Sequence, residues 1–222
     1  MLFRQGRATV QDLTSLRTAL ERISPLADVE WHDLARLVQP QAVDEGGHLL
    51  RAGAIASRAF FLRRGLLREY YMDSAGAEAT RRFCDAGEIS GSLADLLSGR
   101  PSLCSIEALE RSEVWAVDWR QCDALSRRAS GVMLLLRRLA EGLYLRKTER
   151  EFEMLTLPAA ERYGRFVHCF PALARRVPDR LIASYLGITP VHLSRIRGRE
   201  RSTRGAAARS GKRQSAQAPG RR

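Results

Sequence analysis

The stretch VPDRLIASYLGITPVHLSRIRGR, residues Val177 to Arg199, carries the strongest structural signal in this chain. Its first half places apolar residues along one edge of a helix, with Asp179 as the predicted N-cap. Gly187 stands where a glycine ends a helix in the left-handed conformation. Thr189 then caps a second helix, and Pro190 takes its first position, where a missing N–H costs little. The pattern predicts two short helices joined by a tight turn.

The second of these helices has two different faces. Leu193 and Ile196 form an apolar edge, while the opposite edge is polar and rich in arginine. A helix of this kind is suited to the major groove of DNA. An ordinary helical hairpin with a solvated arginine face is the alternative, but the ordered set of Ala183, Gly187 and Thr189 favours a helix-turn-helix. The candidate DNA-binding residues are Thr189, Val191, His192, Ser194, Arg195, Arg197 and Arg199.

The positive charge of the chain is concentrated at one end. The 222 residues carry a formal net charge of +12. Ten basic residues and the single acid Glu200 lie between Arg195 and Arg222, so this end holds +9 of the total. Such a basic end is suited to binding phosphates. Only two of the basic residues are lysines, so part of the arginine excess reflects composition rather than binding.

Several classes of protein are disfavoured by the sequence. No apolar run reaches the ~18 residues of a membrane span, and no signal peptide is visible, so we expect a cytoplasmic protein without membrane contact. No P-loop, nucleophile elbow or H-E-x-x-H spacing occurs, which disfavours an enzyme. The four cysteines are widely separated and are expected to be isolated buried thiols, with no metal and no cofactor. They are Cys84, Cys104, Cys122 and Cys169.

The first half of the chain reads as two short helices followed by strands. The helices are predicted over residues 12–21 and 30–38. Short apolar strands with glycine turns then predict an antiparallel roll or jelly roll, interrupted by a helical turn over 92–97. The predicted strands are Gln41–Val43, His48–Arg51, Ala59–Arg63, Leu66–Tyr71, Ala79–Phe83, Leu103–Ala108 and Val114–Asp118.

A long helix is predicted from about Ser130 to Leu155, after a short one over 121–128. Its apolar residues lie on more than one face, so one face is expected to pack on the roll and another on a second copy of the chain. A core helix of a single chain is the alternative. The predicted dimer residues are Leu135, Leu136, Leu139 and Leu143. Thr156 to Pro158 is the predicted hinge.

The predicted class is therefore α+β, in four segments. They are a roll with N-terminal helices over 1–128, a dimerisation helix over 129–157, a helix-turn-helix domain over 158–199 and a disordered basic tail over 200–222.

This order of elements resembles the family of the cyclic-AMP receptor protein and the fumarate–nitrate reduction regulator. The resemblance covers about residues 20 to 199 and implies a homodimeric transcription regulator with an effector-binding roll. Double-stranded DNA is the implied partner, with RNA polymerase as a further candidate and the small-molecule effector unknown. The matching motifs are Arg64-Gly65-Leu66-Leu67-Arg68, Gly87-Glu88, Ile182 to Pro190, and Leu193-Ser194-Arg195-Ile196-Arg197.

The chain departs from the family at the nucleotide site. The resemblance implies a Glu that holds the ribose where Ser92 stands, and an Arg that holds the cyclic phosphate where Ser102 stands. A buried phosphate without a cation is costly, so no tight binding of a cyclic nucleotide is expected. An iron–sulfur cluster is disfavoured too, because the family's N-terminal cysteines are missing. The effector-pocket candidates are Gly87, Glu88, Gly91, Ser92, Ser102 and Leu103.

Two functions remain open at this point. The first is a sequence-specific DNA-binding regulator. The second is a sensor module with a degenerate helix-turn-helix that acts through protein contacts, because Val191 cannot accept a hydrogen bond from a base, as the Glu of many relatives can. The wing that follows the recognition helix in the family is short, missing or replaced by the basic tail.

Overall fold

A computed structural model describes residues 13–199, which fall into two compact units, 13–151 and 152–199. Residues 1–12 and the predicted basic tail, 200–222, lie outside the described residues. The first unit begins with α1 (Thr14–Glu21) and α2 (Asp28–Ala35). Helix α3 (Leu93–Ser98) interrupts the strands, and α4 (Trp119–Ser126) and α5 (Ser130–Thr156) follow them. The strands are β1 (Val38–Val43), β2 (His48–Leu50), β3 (Arg58–Arg64), β4 (Leu66–Met72), β5 (Glu78–Asp85), β6 (Ile89–Ser90), β7 (Cys104–Ala108) and β8 (Ser112–Asp118).

The strands form two four-stranded antiparallel sheets. The first has the order β1-β8-β3-β6 and the second the order β2-β7-β4-β5. Gly65, with φ of 107°, joins β3 to β4. A Cβ on Gly65 would lie 2.7 Å from the Cα of Ser112, so the turn requires glycine. The predicted antiparallel roll with flanking helices is confirmed.

Two apolar cores hold this unit together. One lies between the sheets and includes Leu62, Leu67 and Ile106, all fully buried. The other lies between the outer face of the first sheet and helices α1, α2, α4 and α5, where Phe61 stacks on Trp115 with ring centroids 5.6 Å apart. The first sheet is therefore apolar on both faces, which accounts for the adjacent buried aromatics of β3.

Helix α5 is attached to α2 by one carboxylate. Glu30 accepts hydrogen bonds from the backbone N–H of Ala27, at 3.2 Å, and from that of Gly131, at 2.7 Å. A carboxylate at the first turn of α5 satisfies one of its unpaired N–H groups and complements the helix dipole. A Cβ on Gly131 would lie 2.2 Å from Glu30 Oε2, so a small residue is needed there.

The second unit is helical. It contains α6 (Ala159–Cys169), α7 (Leu173–Arg176), α8 (Asp179–Leu186) and α9, which is helical over the described residues 190–199. Its core includes Phe166, which contacts Phe170 and Tyr185. No helix within residues 13–199 is long and apolar enough to cross a membrane.

The structure differs from several expectations. The strand β6 and the short helix α7 were not predicted. Asp179 is the first residue of α8 and makes no capping hydrogen bond, since Pro178 precedes the helix. Cys84, Cys104 and Cys122 are buried as expected, but Cys169 is exposed on α6. The unit boundary falls inside α5, whereas the sequence placed the hinge at Thr156 to Pro158.

Candidate effector and nucleic-acid sites

The turn between β5 and β6 holds Gly87 and Glu88, two of the predicted effector residues. Gly87 has a φ of 90° and donates its backbone N–H to the carbonyl oxygen of Leu62 at 2.7 Å. The Glu88 carboxylate accepts a hydrogen bond from the backbone N–H of Asp85 at 2.9 Å and lies 3.3 Å from Arg82 Nη2. Both residues therefore fix the turn, and the carboxylate already has partners.

Ser92 and Ser102 are both buried, with 5% and 2% of their surface exposed. The Ser92 carbonyl accepts the N–H of Asp95 at 3.0 Å, so Ser92 starts α3. The Ser102 hydroxyl lies 2.5 Å from Asp95 Oδ2 and accepts the N–H of Cys104 at 3.0 Å. The position where the resemblance implies an arginine thus holds a hydroxyl that is bonded to a carboxylate.

Gly91 and Leu103 complete the predicted effector set. Gly91 has a φ of 152°, and a Cβ there would lie 3.5 Å from the Cα of Ala59, so this segment packs closely on β3. Leu103 is 75% exposed and does not line an enclosed pocket. Leu103 and Gly87 are the members of the predicted set that the fold leaves exposed.

A buried polar cluster in the roll was missed by the sequence analysis. Glu69 on β4 is 1% exposed, and Ser90 donates its hydroxyl to Glu69 Oε1 at 2.8 Å. Arg81 Nη1 lies 3.4 Å from Glu69 Oε2, and the Arg81 guanidinium lies 5.9 Å from the ring centroid of Tyr71. The available signal was an acid between Leu67 and Tyr71, on the inward-facing edge of an apolar strand.

Burial shifts the titration of this cluster. It raises the pKa of the Cys104 thiol to about 11, and the charge of Glu69 adds to that effect. Burial, the largest single effect, lowers the pKa of Arg81. The charges of Glu69, Tyr71 and Cys104 and the hydrogen bond to Cys104 together outweigh it, so the pKa of Arg81 is raised. Arg81 therefore stays a cation whose main partner is Glu69.

Strand β4 also buries a charge on its other face. Arg68 is 2% exposed, donates to Thr80 Oγ1 at 2.9 Å and pairs with Glu78 Oε2 at 2.6 Å. Its guanidinium lies 4.4 Å from the ring centroid of Tyr70, and Glu107 Oε2 is 3.5 Å away. The arginine of the Arg64-Gly65-Leu66-Leu67-Arg68 motif is thus fully engaged within the sheet.

A cavity of about 140 Å³ lies between the outer face of the first sheet and the helices. Its wall is apolar except for Ser90 and Arg146. The strands and the loop after β6 contribute Val38, Ala59, Phe60, Phe61, Ile89, Ser90, Gly91, Trp115 and Val117. The helices contribute Leu16, Leu20, Leu34, Leu93, Leu96, Trp119, Cys122, Val132, Leu135, Leu136, Leu139, Leu143 and Arg146.

The four predicted dimer residues of α5 line this cavity. Leu135 is 2% exposed within the core, and Leu136 and Leu139 are half-buried against the same cluster. The sequence analysis expected them on an outward seam, but the helical stripe they form faces the sheet of their own chain. The exposed apolar residues of α5 within this unit are Met133, Leu134, Tyr144 and Leu145.

Helix α9 has the two faces that the sequence predicts. Leu193 is fully buried, and Ile196 is 6% exposed. Thr189 Oγ1 accepts the backbone N–H of His192 at 3.2 Å, which confirms Thr189 as the cap. The exposed residues of this helix are Pro190, Val191, His192, Ser194, Arg195 and Arg199.

Arg197 differs from the other arginines of α9. Its Nε donates to Tyr163 Oη at 3.0 Å, and its Nη1 pairs with Asp179 Oδ1 at 2.5 Å. The guanidinium also lies 5.5 Å from the Tyr163 ring centroid. Burial alone would lower the pKa of Arg197, but the hydrogen bonds to Asp179 and Tyr163 raise it. Arg197 thus fastens α9 to α6 and α8.

The turn between α8 and α9 is fixed by a left-handed glycine and by hydrogen bonds to the last carbonyls of α8. Gly187 has a φ of 66°, which confirms the predicted left-handed position, and a Cβ there would lie 2.7 Å from Met154 Cε. The Ile188 N–H donates to the Ala183 carbonyl at 3.0 Å. Arg162 donates to the Leu186 carbonyl through Nε, at 3.1 Å, and Nη2, at 2.9 Å. These bonds satisfy the last carbonyls of α8.

Comparisons with known proteins agree with this fold. Residues 40–129 match the sequence profile of the cyclic nucleotide-binding domain. No curated protein matches the sequence. Among solved structures, the c-di-GMP responsive global regulator CLP of Xanthomonas campestris aligns with a TM-score of 0.66 at 12% identity, over 80% of this chain and 93% of its own.

Two further structures align over most of the chain. FixK2 from Bradyrhizobium japonicum gives a TM-score of 0.64 at 19% identity, over 75% of this chain and 85% of its own. The catabolite activator protein of Thermus thermophilus gives 0.53 at 22% identity, over 87% and 88%. The roll of this chain is therefore a cyclic nucleotide-binding domain in its fold, and its structural neighbours include regulators of the family that the sequence resembles.

Proposed function

We propose that this chain is a sequence-specific DNA-binding transcription regulator of the cyclic-AMP receptor protein type. The observation that carries the proposal is α9, whose apolar edge is buried while Val191, His192, Ser194, Arg195 and Arg199 of its other edge are exposed. In this proposal α8, the turn at Gly187 and α9 form a helix-turn-helix with α9 as the recognition helix. The likeness to a global regulator and to a catabolite activator supports it.

The arginines of α9 have different roles in this proposal. Arg195 is exposed, and its guanidinium can bond O6 and N7 of a guanine together. Arg199 is exposed at the end of the described helix and meets phosphates, as do the basic residues beyond it. Arg197 is bonded to Tyr163 and Asp179, so its role is to fix the orientation of α9 and not to contact DNA.

The proposed active species is a homodimer. In this proposal the interface is the exposed apolar face of α5, residues Met133, Leu134, Tyr144 and Leu145, since water-exposed apolar residues on one helix are a common contact surface. Two recognition helices related by a twofold axis enter major grooves about 34 Å apart. The operator is therefore an inverted repeat. Leu145→Asp should give a monomer in sedimentation without loss of helical content.

The proposed regulator does not bind a cyclic nucleotide tightly. The hydroxyl of Ser102 is bonded to Asp95, and a carboxylate beside the phosphate position repels an anion. Arg81 is the nearby cation, but Glu69 is already its partner. Calorimetric titration with cyclic AMP or cyclic GMP should therefore give no micromolar binding, and a micromolar dissociation constant would contradict the proposal.

The decisive experiment is selection of binding sites from random DNA with the full chain. We expect an inverted repeat, and we expect Arg195→Ala to relax the preference at one position of each half-site by about 1–3 kcal/mol. Arg199→Ala and deletion of 200–222 should weaken all sequences alike and reduce the salt dependence.

Two results would overturn this assignment. An unchanged motif with Arg195→Ala, together with a changed motif after tail deletion, would contradict the roles given to the arginines. No salt-dependent retention on DNA at all would favour the second function, a sensor module that acts through protein contacts.

A further inference from the structure

The apolar cavity behind the roll is separate from the nucleotide position of the family. It lies between the outer face of the first sheet and the helices, beside Phe61 and Trp115. Gly91 of the predicted effector set borders it, whereas Ser92 and Ser102 do not line it. Its volume of about 140 Å³ is similar to that of ~150 Å³ apolar cavities that stay dry and bind benzene-sized molecules. Its enclosed part therefore has room for an apolar body of roughly six to eight carbon atoms.

A cation lies at the rim of this cavity. Arg146, one turn beyond Leu143 on α5, is in the cavity wall but keeps contact with solvent. Among residues 13–199, no hydrogen bond or salt bridge engages its guanidinium. The pKa of Arg146 is lowered, first by desolvation and then by the charge of Arg82 nearby. The charges of Glu88, Glu149 and Glu69 oppose this lowering in part. An anion bound at this position would further favour the charged guanidinium.

The other polar groups near the cavity are already engaged. Ser90 donates its hydroxyl to Glu69. Arg82 donates to the Ile89 carbonyl at 2.9 Å and pairs with Glu88. The cavity thus offers one unpaired positive charge at its mouth and apolar walls behind it, which is the complement of an amphipathic anion.

We propose that this cavity binds a medium-chain fatty acid, with the hydrocarbon chain between α5 and the first sheet and the carboxylate on Arg146. A cyclic nucleotide does not fit, because its many polar groups would find no hydrogen-bonding partners among the leucines and aromatic rings of the wall. A long-chain fatty acid exceeds the enclosed volume. A neutral alcohol of the same length fills the cavity but leaves the arginine without a counter-ion.

The ligand would act on α5, since one stripe of that helix, from Val132 to Leu143, forms a wall of the cavity. Filling the space changes how α5 packs on the sheet, and in this way the roll would sense the acid. Binding of the acid is independent of the function proposed above, whereas its effect on DNA rests on that function.

The test is quenching of tryptophan fluorescence in the full chain by a bromine-labelled octanoate. Trp115 and Trp119 line the cavity, so a bromine atom on the chain should quench them in a saturable manner, and unlabelled octanoate should reverse the quenching. Arg146→Gln should weaken octanoate binding at least tenfold. The matched control Lys147→Gln removes the same charge from the next, exposed residue and should bind octanoate like the wild type.

Two additional measurements define the site. Octan-1-ol should compete more weakly than octanoate in the wild type, and Arg146→Gln should not alter its binding. Leu139→Phe adds volume to the wall and should abolish quenching while the thermal melt stays cooperative. If that variant fails to fold, the pair of Arg146 and Lys147 variants still decides the question.

The inference is overturned if brominated octanoate gives no saturable quenching, or if the two charge variants bind octanoate equally. The function proposed above is tested separately, by the fluorescence polarisation of a selected operator with and without octanoate. Quenching without any DNA binding would reject the regulator and keep the fatty-acid site. DNA binding without quenching would keep the regulator and reject the fatty-acid site.

Discussion

Polar groups are buried and paired within the chain at the nucleotide position of the roll, whereas they are exposed on the outer face of α9. In the roll, Ser102 is bonded to Asp95, and Glu69 to Arg81 and Ser90, so each group has a partner within the chain. On α9, His192, Ser194 and Arg195 are exposed to solvent. A buried polar group must be satisfied, and when its partner is internal there is little left for a ligand to gain.

Within each region, the arginines also differ in whether an acidic side chain of the protein binds them. Arg68 and Arg81 are held by acids in the sheet, while Arg146 at the rim of the cavity is not. On α9, Arg197 is held by Asp179, while Arg195 is exposed. The location of an arginine in the sequence therefore says less about binding than the presence of an acid within reach.

The largest effect on stability is expected at the buried polar cluster of the roll. Glu69→Gln leaves Arg81 without its carboxylate in a buried setting and should lower the free energy of unfolding by about 3 kcal/mol. The matched control is Glu113→Gln, which breaks an exposed pair with Arg63 and should cost less than about 1 kcal/mol. Unfolding in urea, followed by tryptophan fluorescence, measures both. Equal losses of unfolding free energy in the two variants would contradict the description of Glu69 and Arg81 as a buried pair.

The buried edge of α9 comes next. Leu193→Ala removes a fully buried side chain and should destabilise the second unit by about 2–3 kcal/mol. Val191→Ala, two positions away and 62% exposed, should change stability by less than about 0.5 kcal/mol. Hydrogen exchange of the α8 amides would report the difference. A large loss with the Val191 variant would place that residue in a contact and not on an open face.

A smaller effect separates the two central arginines of α9. Arg197→Ala loses the bonds to Tyr163 and Asp179 and should lower the stability of the second unit by about 1 kcal/mol. Arg195→Ala should leave stability unchanged within about 0.5 kcal/mol and act on DNA preference alone. Thermal melts of the two variants test this directly. The opposite order would exchange the roles of the two residues.

A pH-dependent effect concerns the buried thiols Cys104 and Cys122. Burial raises the pKa of Cys104 and of Cys122 from 9.0 to about 11. Above pH 9 the unfolded chain releases these protons while the folded chain keeps them, so stability should fall as the pH rises from 9 to 11 and be unaffected by them below pH 8. Cys122→Ala should reduce that slope, and Cys169→Ser, at an exposed thiol, should not. Melting temperatures that stay level up to pH 11 would contradict the shift.

The local signals in the sequence were sufficient for much of the fold. Gly187 and Thr189 were predicted from turn and cap preferences, and their φ angle and hydrogen bond confirm them. The seven predicted strands all exist, because short apolar segments separated by turn residues mark them in the sequence. The strand β6 has two residues and α7 has four, too few for any periodic signal.

What escaped prediction depends on contacts between residues far apart in the chain. The periodicity of α5 predicts an apolar stripe but not whether the same chain or a second copy packs against it. Leu135 was therefore assigned to a dimer interface, although it lies in the core of its own unit. Asp179 suits a cap position by type, but Arg197, 18 residues away, is its partner instead. Arg81 and Glu69 lie 12 positions apart, and only the pairing of β4 with β5 brings them together.

The bond between Glu30 and Gly131 has a consequence for how the chain folds. The two residues are 101 positions apart in sequence. At synthesis rates of roughly 5–20 residues per second, α2 is synthesised roughly 5–20 s before the start of α5. Its apolar residue Trp31, which is almost fully buried in the finished protein, must wait for that interval without its final neighbours. The N-terminal helices, although they are made first, therefore depend on a segment that is made late for their final packing.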